Sequence, residues 1–302
     1  GSAAGSAGAT RSRGIFLIVG AIALVMLAAV GAVALVLSRG PQPQDVIPDT
    51  ALGLIVVDLD PSLGQKVNLV RLANSLPDSG VTLNSDDPVG SLLAEDPDAA
   101  ELWAGIKPWF GSKAAVAAVP DADGGVAALL AVEVSDERQA RSWLTSRVDG
   151  AEDLGLGEIE FAFRDGYALI SDSAWVVDQA VNSDNPLSAS SEFAADRQEL
   201  GDQIIWGWLD AARTAKTARS ALESEDAGDL LDPFLSDVAD SIPDVQGRLM
   251  FGVAAQSTEL SFTVLSEDAA VDDLGSFQFT GSSDAGLDVP AAAVASLGIG
   301  GL

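Results

Sequence analysis

The sequence contains no histidine and no cysteine. Their absence excludes Ser-His-Asp and Cys-His catalysis, thiol redox chemistry, disulfide bonds, and zinc or haem sites that need thiolate or imidazole ligands. Basic residues are also scarce: 16 Lys and Arg stand against 45 Asp and Glu, so the formal charge is −29 over 302 residues. A surface of that sign does not displace counterions from nucleic acid. We therefore expect no nucleic-acid partner.

Charged residues, amides and prolines are missing from residues 15–37, a run of 23 residues. At about 1.5 Å per residue, a helix of this length spans roughly 34 Å and can cross a hydrocarbon core of about 30 Å. A cleaved signal peptide has a shorter apolar core of about 7–15 residues, and Ser38–Pro41 is a poor cleavage site. The sequence therefore predicts a transmembrane helix over residues 15–38, with the lipid bilayer as a partner.

The charges around this run predict its orientation. Arg11 and Arg13 precede it, only Arg39 follows closely, and no acid occurs before Asp45. The positive-inside rule then leaves residues 1–14 as a flexible cytoplasmic tail. We expect a single-pass protein of the cell membrane whose bulk is extracytoplasmic and acidic.

Small residues mark one side of the predicted transmembrane helix. Ala21, Ala28 and Ala32 recur at spacings of seven and four, and Gly31 lies beside them. In lipid, small residues allow two helices to approach closely. Alanine and glycine are also common in membrane spans generally, so this pattern permits either a packing face for another membrane protein or no specific contact.

Beyond a Pro-rich linker predicted over residues 39–50, strand patterns alternate with helix patterns. Strands are predicted at Ala51–Leu59, Lys113–Val119, Val126–Val134, Glu158–Phe163, Tyr167–Ser171, Gln203–Leu209, Arg248–Ala255 and Leu260–Leu265. Helices are predicted at Gly64–Leu76, Pro97–Phe110, Ser135–Val148, Ala174–Val181, Ser191–Leu200, Ala211–Leu222 and Gly228–Ile242.

The order of these elements is repeated. Strand, helix, helix, glycine, strand, turn and strand occur over residues 51–134 and again over 203–266. We therefore predict an α+β fold in which the transmembrane helix precedes two related antiparallel sheet-and-helix units. The units are predicted at 51–200 and 201–288, and residues 289–302 are predicted to begin a further strand or unit.

The start of the exported region carries a resemblance. Ile47–Ala51 leads into a strand closed by Asp58–Ser62, and Gly64–Lys66 then opens a helix. With the preceding membrane helix and the Ala-, Gly- and Asp-rich composition, this resembles the actinobacterial single-pass membrane proteins of the domain-of-unknown-function family number three thousand three hundred and fifty-two. The resemblance covers the N-terminal third well and the remainder by general pattern. It implies topology and location but no chemistry, because no activity is established for that family.

Two acids form the one candidate metal site. Asp58 and Asp60 are two residues apart on a predicted strand, so their side chains share one face. They can bind a divalent cation, which prefers oxygen ligands, or they are polar residues where a strand leaves the core. Lys66 can pair with either acid. Asp121–Gly125 carries part of a calcium-loop pattern but is typical of a hairpin turn.

Tryptophan pairs have two interpretations. Trp206 and Trp208 lie on one face of a predicted strand, and Trp103 and Trp109 bracket a Lys-Pro step. Such pairs can stack on sugars or partners. They more commonly fill cores, and we favour that interpretation.

No nucleophile-elbow, phosphate-loop or dinucleotide motif occurs, and no catalytic residue can be chosen from 45 acids. We therefore expect a non-enzymatic, membrane-anchored binding, scaffold or accessory protein without a cofactor. Its expected partner is another membrane protein or a membrane complex, such as a respiratory assembly. The alternative is a cell-envelope hydrolase that uses paired carboxylates, which needs neither histidine nor cysteine.

Overall fold

A computed structural model describes residues 41–59, 96–153, 159–223, 247–255, 259–267 and 293–300, together with residues 62, 64, 65, 67, 68 and 90. The predictions for the cytoplasmic tail, the transmembrane helix and its small residues Ala21, Ala28, Gly31 and Ala32 lie outside these residues.

The described residues form nine strands and five α-helices. The strands are β1 Gly53–Asp58, β2 Phe110–Pro120, β3 Val126–Val134, β4 Glu160–Arg164, β5 Tyr167–Ser171, β6 Ile205–Asp210, β7 Arg248–Ala255, β8 Glu259–Glu267 and β9 Ala293–Gly300. The helices are α1 Pro97–Ile106, α2 Glu137–Asp153, α3 Ala174–Asn182, α4 Ser191–Leu200 and α5 Ala211–Glu223. Two 3-10 turns occupy Pro43–Asp45 and Leu187–Ala189.

All nine strands join one sheet in the order β4-β5-β3-β2-β1-β6-β7-β8-β9, and each neighbouring pair is antiparallel. The predicted α+β class with antiparallel pairing is confirmed. Three adjacent strands, β1-β2-β3, come from the first predicted unit, and β6-β7-β8 follow in the same order from the second. The two sets meet where Gly53 pairs with Leu209 and Val57 pairs with Ile205.

The two faces of the sheet carry separate apolar clusters, because successive side chains of a strand point to opposite faces. On the first face, Leu54 and Val56 pack with α3, α4 and the segment before β1. On the second face, Val57 packs with α1 and α2. Trp206 and Trp208 are buried in the first cluster, and Trp103 and Trp109 in the second. The core-packing interpretation of the tryptophans is confirmed.

Helix α1 is shorter than the predicted span of residues 97–110. It ends at Ile106 because Pro108 has no N–H to continue the helical hydrogen bonds. Phe110 instead begins β2, and Gly111 lies inside that strand. A Cβ at Gly111 would come within 2.5 Å of the Glu133 side chain, so a strand contact, not a helix end, requires this glycine.

The Pro-rich linker predicted over residues 39–50 is packed on the domain in its described part and is not an extended spacer. Residues 41–50, which we name the strap, cross the first face of the sheet and do not extend away from it. Val46 and Ile47 are buried, and the Ile47 carbonyl accepts a hydrogen bond of 2.7 Å from Leu187 N–H. Burying a side chain of this size contributes roughly 1.5–3 kcal/mol, so two apolar residues outweigh the extended preference that the prolines indicate.

A partly buried ion pair attaches α4 to the sheet. Arg248 on β7 donates two hydrogen bonds to Asp196 on α4, at 2.6 Å and 3.0 Å. Trp208 Nε1 donates a third to the same carboxylate at 3.0 Å. Asp196 is only 5% exposed, and this hydrogen bonding raises the pKa of Arg248. The pair therefore holds α4 in one register over β6 and β7.

We expect Asp196→Ala to lower the free energy of unfolding by about 3 kcal/mol, because it leaves the Arg248 guanidinium and Trp208 N–H without this acceptor. Urea denaturation of the full chain in detergent measures the change. The matched control is Glu199→Ala on the exposed side of α4, which should change stability by no more than about 0.5 kcal/mol. Equal losses in the two variants would contradict the assignment.

Candidate functional site

The strap enters the domain at one end of the sheet, which we name the strap-entry end. Tyr167, at the start of β5, donates its hydroxyl to the Pro41 carbonyl at 2.9 Å. Backbone bonds join the neighbouring turns: Val134 N–H donates to Gly166 O and Ser135 N–H donates to Trp109 O, both at 2.8 Å. The first strap residue is therefore fixed over a hydrogen-bonded set of turns.

Four polar residues lie on the first face beneath this entry point. We name Asp58, Lys113, Glu133 and Tyr167 the entry cluster. Asp58 pairs with Lys113 across β1 and β2, and Glu133 pairs with Tyr167 across β3 and β5. Each of the four lies two residues along its strand from an apolar residue of the first-face core, so all four are on that face, and the strand register brings them to one end of it. Lys113 is only 3% exposed.

Glu133 organises an irregularity in β2. The register of β2 on β3 shifts between Phe110 and Ala114. Glu133 Oε2 accepts hydrogen bonds from Ser112 N–H at 2.8 Å, Ser112 Oγ at 2.7 Å and Lys113 N–H at 3.0 Å. One carboxylate oxygen thus satisfies the backbone donors that the shift removes from the ladder.

Tyr167 is fully buried and is the single tyrosine of the chain. Burial is the main cause that raises its pKa, and the negative charges of Glu133, Asp45 and Asp58 raise the pKa further. The hydroxyl therefore stays neutral and keeps the proton that it donates to Pro41. This neutral phenol is the direct polar link between the strap and the sheet at the strap-entry end.

The predicted metal site is described only in part. Asp58 belongs to the entry cluster, and its N–H donates to Ile204 O at 2.8 Å. Asp60 and Lys66 lie outside the described residues. In the part of the chain that the structure describes, no group of three or more acidic side chains is arranged to hold a metal ion. The metal hypothesis for Asp58 and Asp60 stays a prediction.

The hairpin interpretation of Asp121–Gly125 is confirmed. Asp121 Oδ1 accepts hydrogen bonds from Ala122 N–H and from the Ser173 hydroxyl. Asp123 Oδ1 accepts from Gly125 N–H at 3.1 Å, and Gly124 has a φ of 85°. The two acids therefore hold the β2–β3 turn and its contact with the start of α3.

Sequence reasoning did not select Lys113, Glu133 or Tyr167. A weak signal was present, since Lys113 and Glu133 each interrupt a strand that is otherwise almost wholly apolar. A charge on a core-facing strand position indicates a buried polar contact. The partner of each charge depended on strand register, which the pattern alone did not contain.

No protein-family model, no curated protein and no solved structure matches the chain. Among the described helices, none has the length and apolar character needed to cross a membrane.

We expect Tyr167 to remain un-ionised at a pH where free tyrosine, with a pKa of about 10, is largely ionised. Tyrosinate absorbance at 295 nm is the direct measurement, because no other tyrosine contributes. Since the folded pKa is raised, the stabilising effect of the neutral phenol is complete below pH 10 or thereabouts. It is lost as the pH rises towards the folded pKa.

The control for this titration is the chain unfolded in urea, in which Tyr167 should ionise near its ordinary pKa. The Tyr167→Phe variant supplies the second control, because its free energy of unfolding should lack the tyrosine contribution to the alkaline slope. Ionisation of the folded protein at the same pH as the unfolded chain would disprove the buried neutral phenol.

Proposed function

We propose that the protein is a membrane-anchored, non-enzymatic accessory module whose extracytoplasmic domain is held close to a single transmembrane helix. One observation carries the proposal. The apolar run ends at Leu37, and the chain is already hydrogen-bonded to the sheet at Pro41 and buried in it at Val46 and Ile47. Three residues, 38–40, separate the proposed helix from the docked strap.

The short connection between the proposed membrane helix and the domain favours an accessory role over that of a domain on a long flexible tether. A flexible tether lets a domain search a volume that grows with linker length. A connection of three residues gives the domain little freedom, and it holds one surface close to whatever the membrane helix contacts. That geometry suits a subunit of a larger membrane assembly, for which a respiratory complex is one example.

The entry cluster also supports a non-enzymatic role. A carboxylate hydrolase needs acids whose oxygens face the substrate. Glu133 instead uses its carboxylate on the backbone of Ser112 and Lys113, and Asp58 faces the strap side of the sheet beside Lys113. The Glu133 carboxylate therefore serves the fold of β2.

We also propose that the domain consists of two related units. The strands β1-β2-β3 and β6-β7-β8 have the same order and meet at the β1–β6 pair. This arrangement is what two fused copies of one sheet-and-helix unit would form around a local two-fold axis. The proposed membership of the domain-of-unknown-function family rests on the sequence resemblance of residues 47–66.

We expect the domain to lie outside the cytoplasm and the N-terminal tail inside. The chain lacks cysteine, so single-cysteine variants can be labelled without background. A membrane-impermeant maleimide should label Ala122→Cys, at the exposed β2–β3 turn, in intact cells. The matched variant Ser6→Cys should react only after permeabilisation. The reverse pattern would refute the proposed topology.

We expect the predicted small-residue face of the membrane helix to contact a partner helix. Replacing Ala28 and Ala32 with leucine should remove a co-purifying membrane protein, because larger side chains prevent close helix approach. The matched control is Ala23→Leu with Ala34→Leu, on the other side of the helix. Mass spectrometry of complexes from mild detergent compares the two. Retention of the same partner by the Ala28 and Ala32 variant would eliminate this face.

A further inference from the structure

The length of chain before the strap limits where the domain can lie. A residue extends the chain by at most about 3.6 Å, so Pro41 lies within about 14 Å of Leu37, at the end of the proposed membrane helix. The Tyr167 hydroxyl holds the Pro41 carbonyl at 2.9 Å. This restricts one defined part of the sheet, the strap-entry end, to the neighbourhood of the bilayer surface.

Three turns near the strap, which we name the strap-entry turns, are described at that end. They are Lys107–Trp109 before β2, Ser135–Arg138 after β3 and Arg164–Gly166 between β4 and β5. The opposite end carries the β2–β3 turn at Asp121–Gly125. Strand β2 has 11 residues, and at about 3.3 Å per residue it separates the two ends by roughly 35 Å.

The strap-entry turns carry equal numbers of basic and acidic residues. They carry three basic residues, Lys107, Arg138 and Arg164, and three acidic residues, Asp136, Glu137 and Asp165. The β2–β3 turn carries two acids and no base. Anionic lipid headgroups repel an acidic surface, so the strap-entry turns can approach them at a lower electrostatic cost than the β2–β3 turn can.

We infer that the strap-entry end of the domain lies against lipid headgroups, with the exposed side chains of Lys107 and Arg138 directed at their phosphates. This inference rests on the proposed membrane anchoring. It assigns the β2–β3 turn to the distal end of the domain, where contacts with extracytoplasmic partners are open. The docked strap then has a structural role, because it determines which end of the sheet faces the membrane.

Energy transfer in vesicles tests the orientation. The full chain is reconstituted into phosphatidylcholine vesicles that contain a minor fraction of phosphatidylglycerol and an acceptor dye on the headgroups. A donor dye is attached at Ser135→Cys, in the strap-entry turns, or at Ala122→Cys, in the opposite turn. Both positions are exposed and carry small side chains. We expect at least two-fold more efficient transfer from position 135 than from position 122.

The possible results distinguish an error in the inferred orientation from an error in the proposed membrane anchoring. If the protein floats with the vesicles but transfer is equal, or is greater from position 122, the inference is overturned and the anchoring stands. If the protein does not float, the anchoring itself is wrong and the inference falls with it. In floating protein, Lys107→Glu with Arg138→Glu should lower transfer from position 135, whereas Lys216→Glu with Arg219→Glu on α5 should not.

Discussion

Strand β1 is the element on which the rest of the structure depends, because it pairs with β2 on one side and with β6 on the other. Without that double pairing the sheet would divide into two parts, each with an unpaired edge. The strap leads directly into β1, so the same strand that joins the two halves also receives the connection from the proposed membrane helix. Strand β1 therefore both holds the sheet together and continues the strap that leads from the proposed membrane helix.

Local patterns predicted most of the elements. The bounds of β3, β5 and β7 agree with the sequence prediction, since each strand shows a clear apolar run next to a turn signal. The strand order could not be predicted in the same way. The pairing of Val57 with Ile205 joins residues far apart in the chain, and nothing in either strand alone specifies the other. The strap was misjudged because its prolines indicate extension, whereas two apolar residues decide its packing.

In the candidate site too, the sequence predicted what depends on neighbouring residues and missed what depends on contacts between distant ones. Asp58 stood out because a second acid lies two residues away, and the structure describes only the first of them. Tyr167 has no local signal, since a single tyrosine in an apolar strand is typical of any core. Its importance comes from the strap, which supplies the acceptor for its hydroxyl, and from the nearby acids, which raise its pKa.

The strap also links anchoring to folding. Val46 and Ile47 belong to the same apolar cluster as Leu129, Leu169 and Phe193. A force applied through the proposed membrane helix therefore acts on the core of the domain and not on a loose tether. A chain without disulfides has only packing, hydrogen bonds and ion pairs to resist such a force. The strap therefore joins the fold at two kinds of contact, the Tyr167 hydrogen bond on β5 at its entry and the apolar packing of Val46 and Ile47 on the first face.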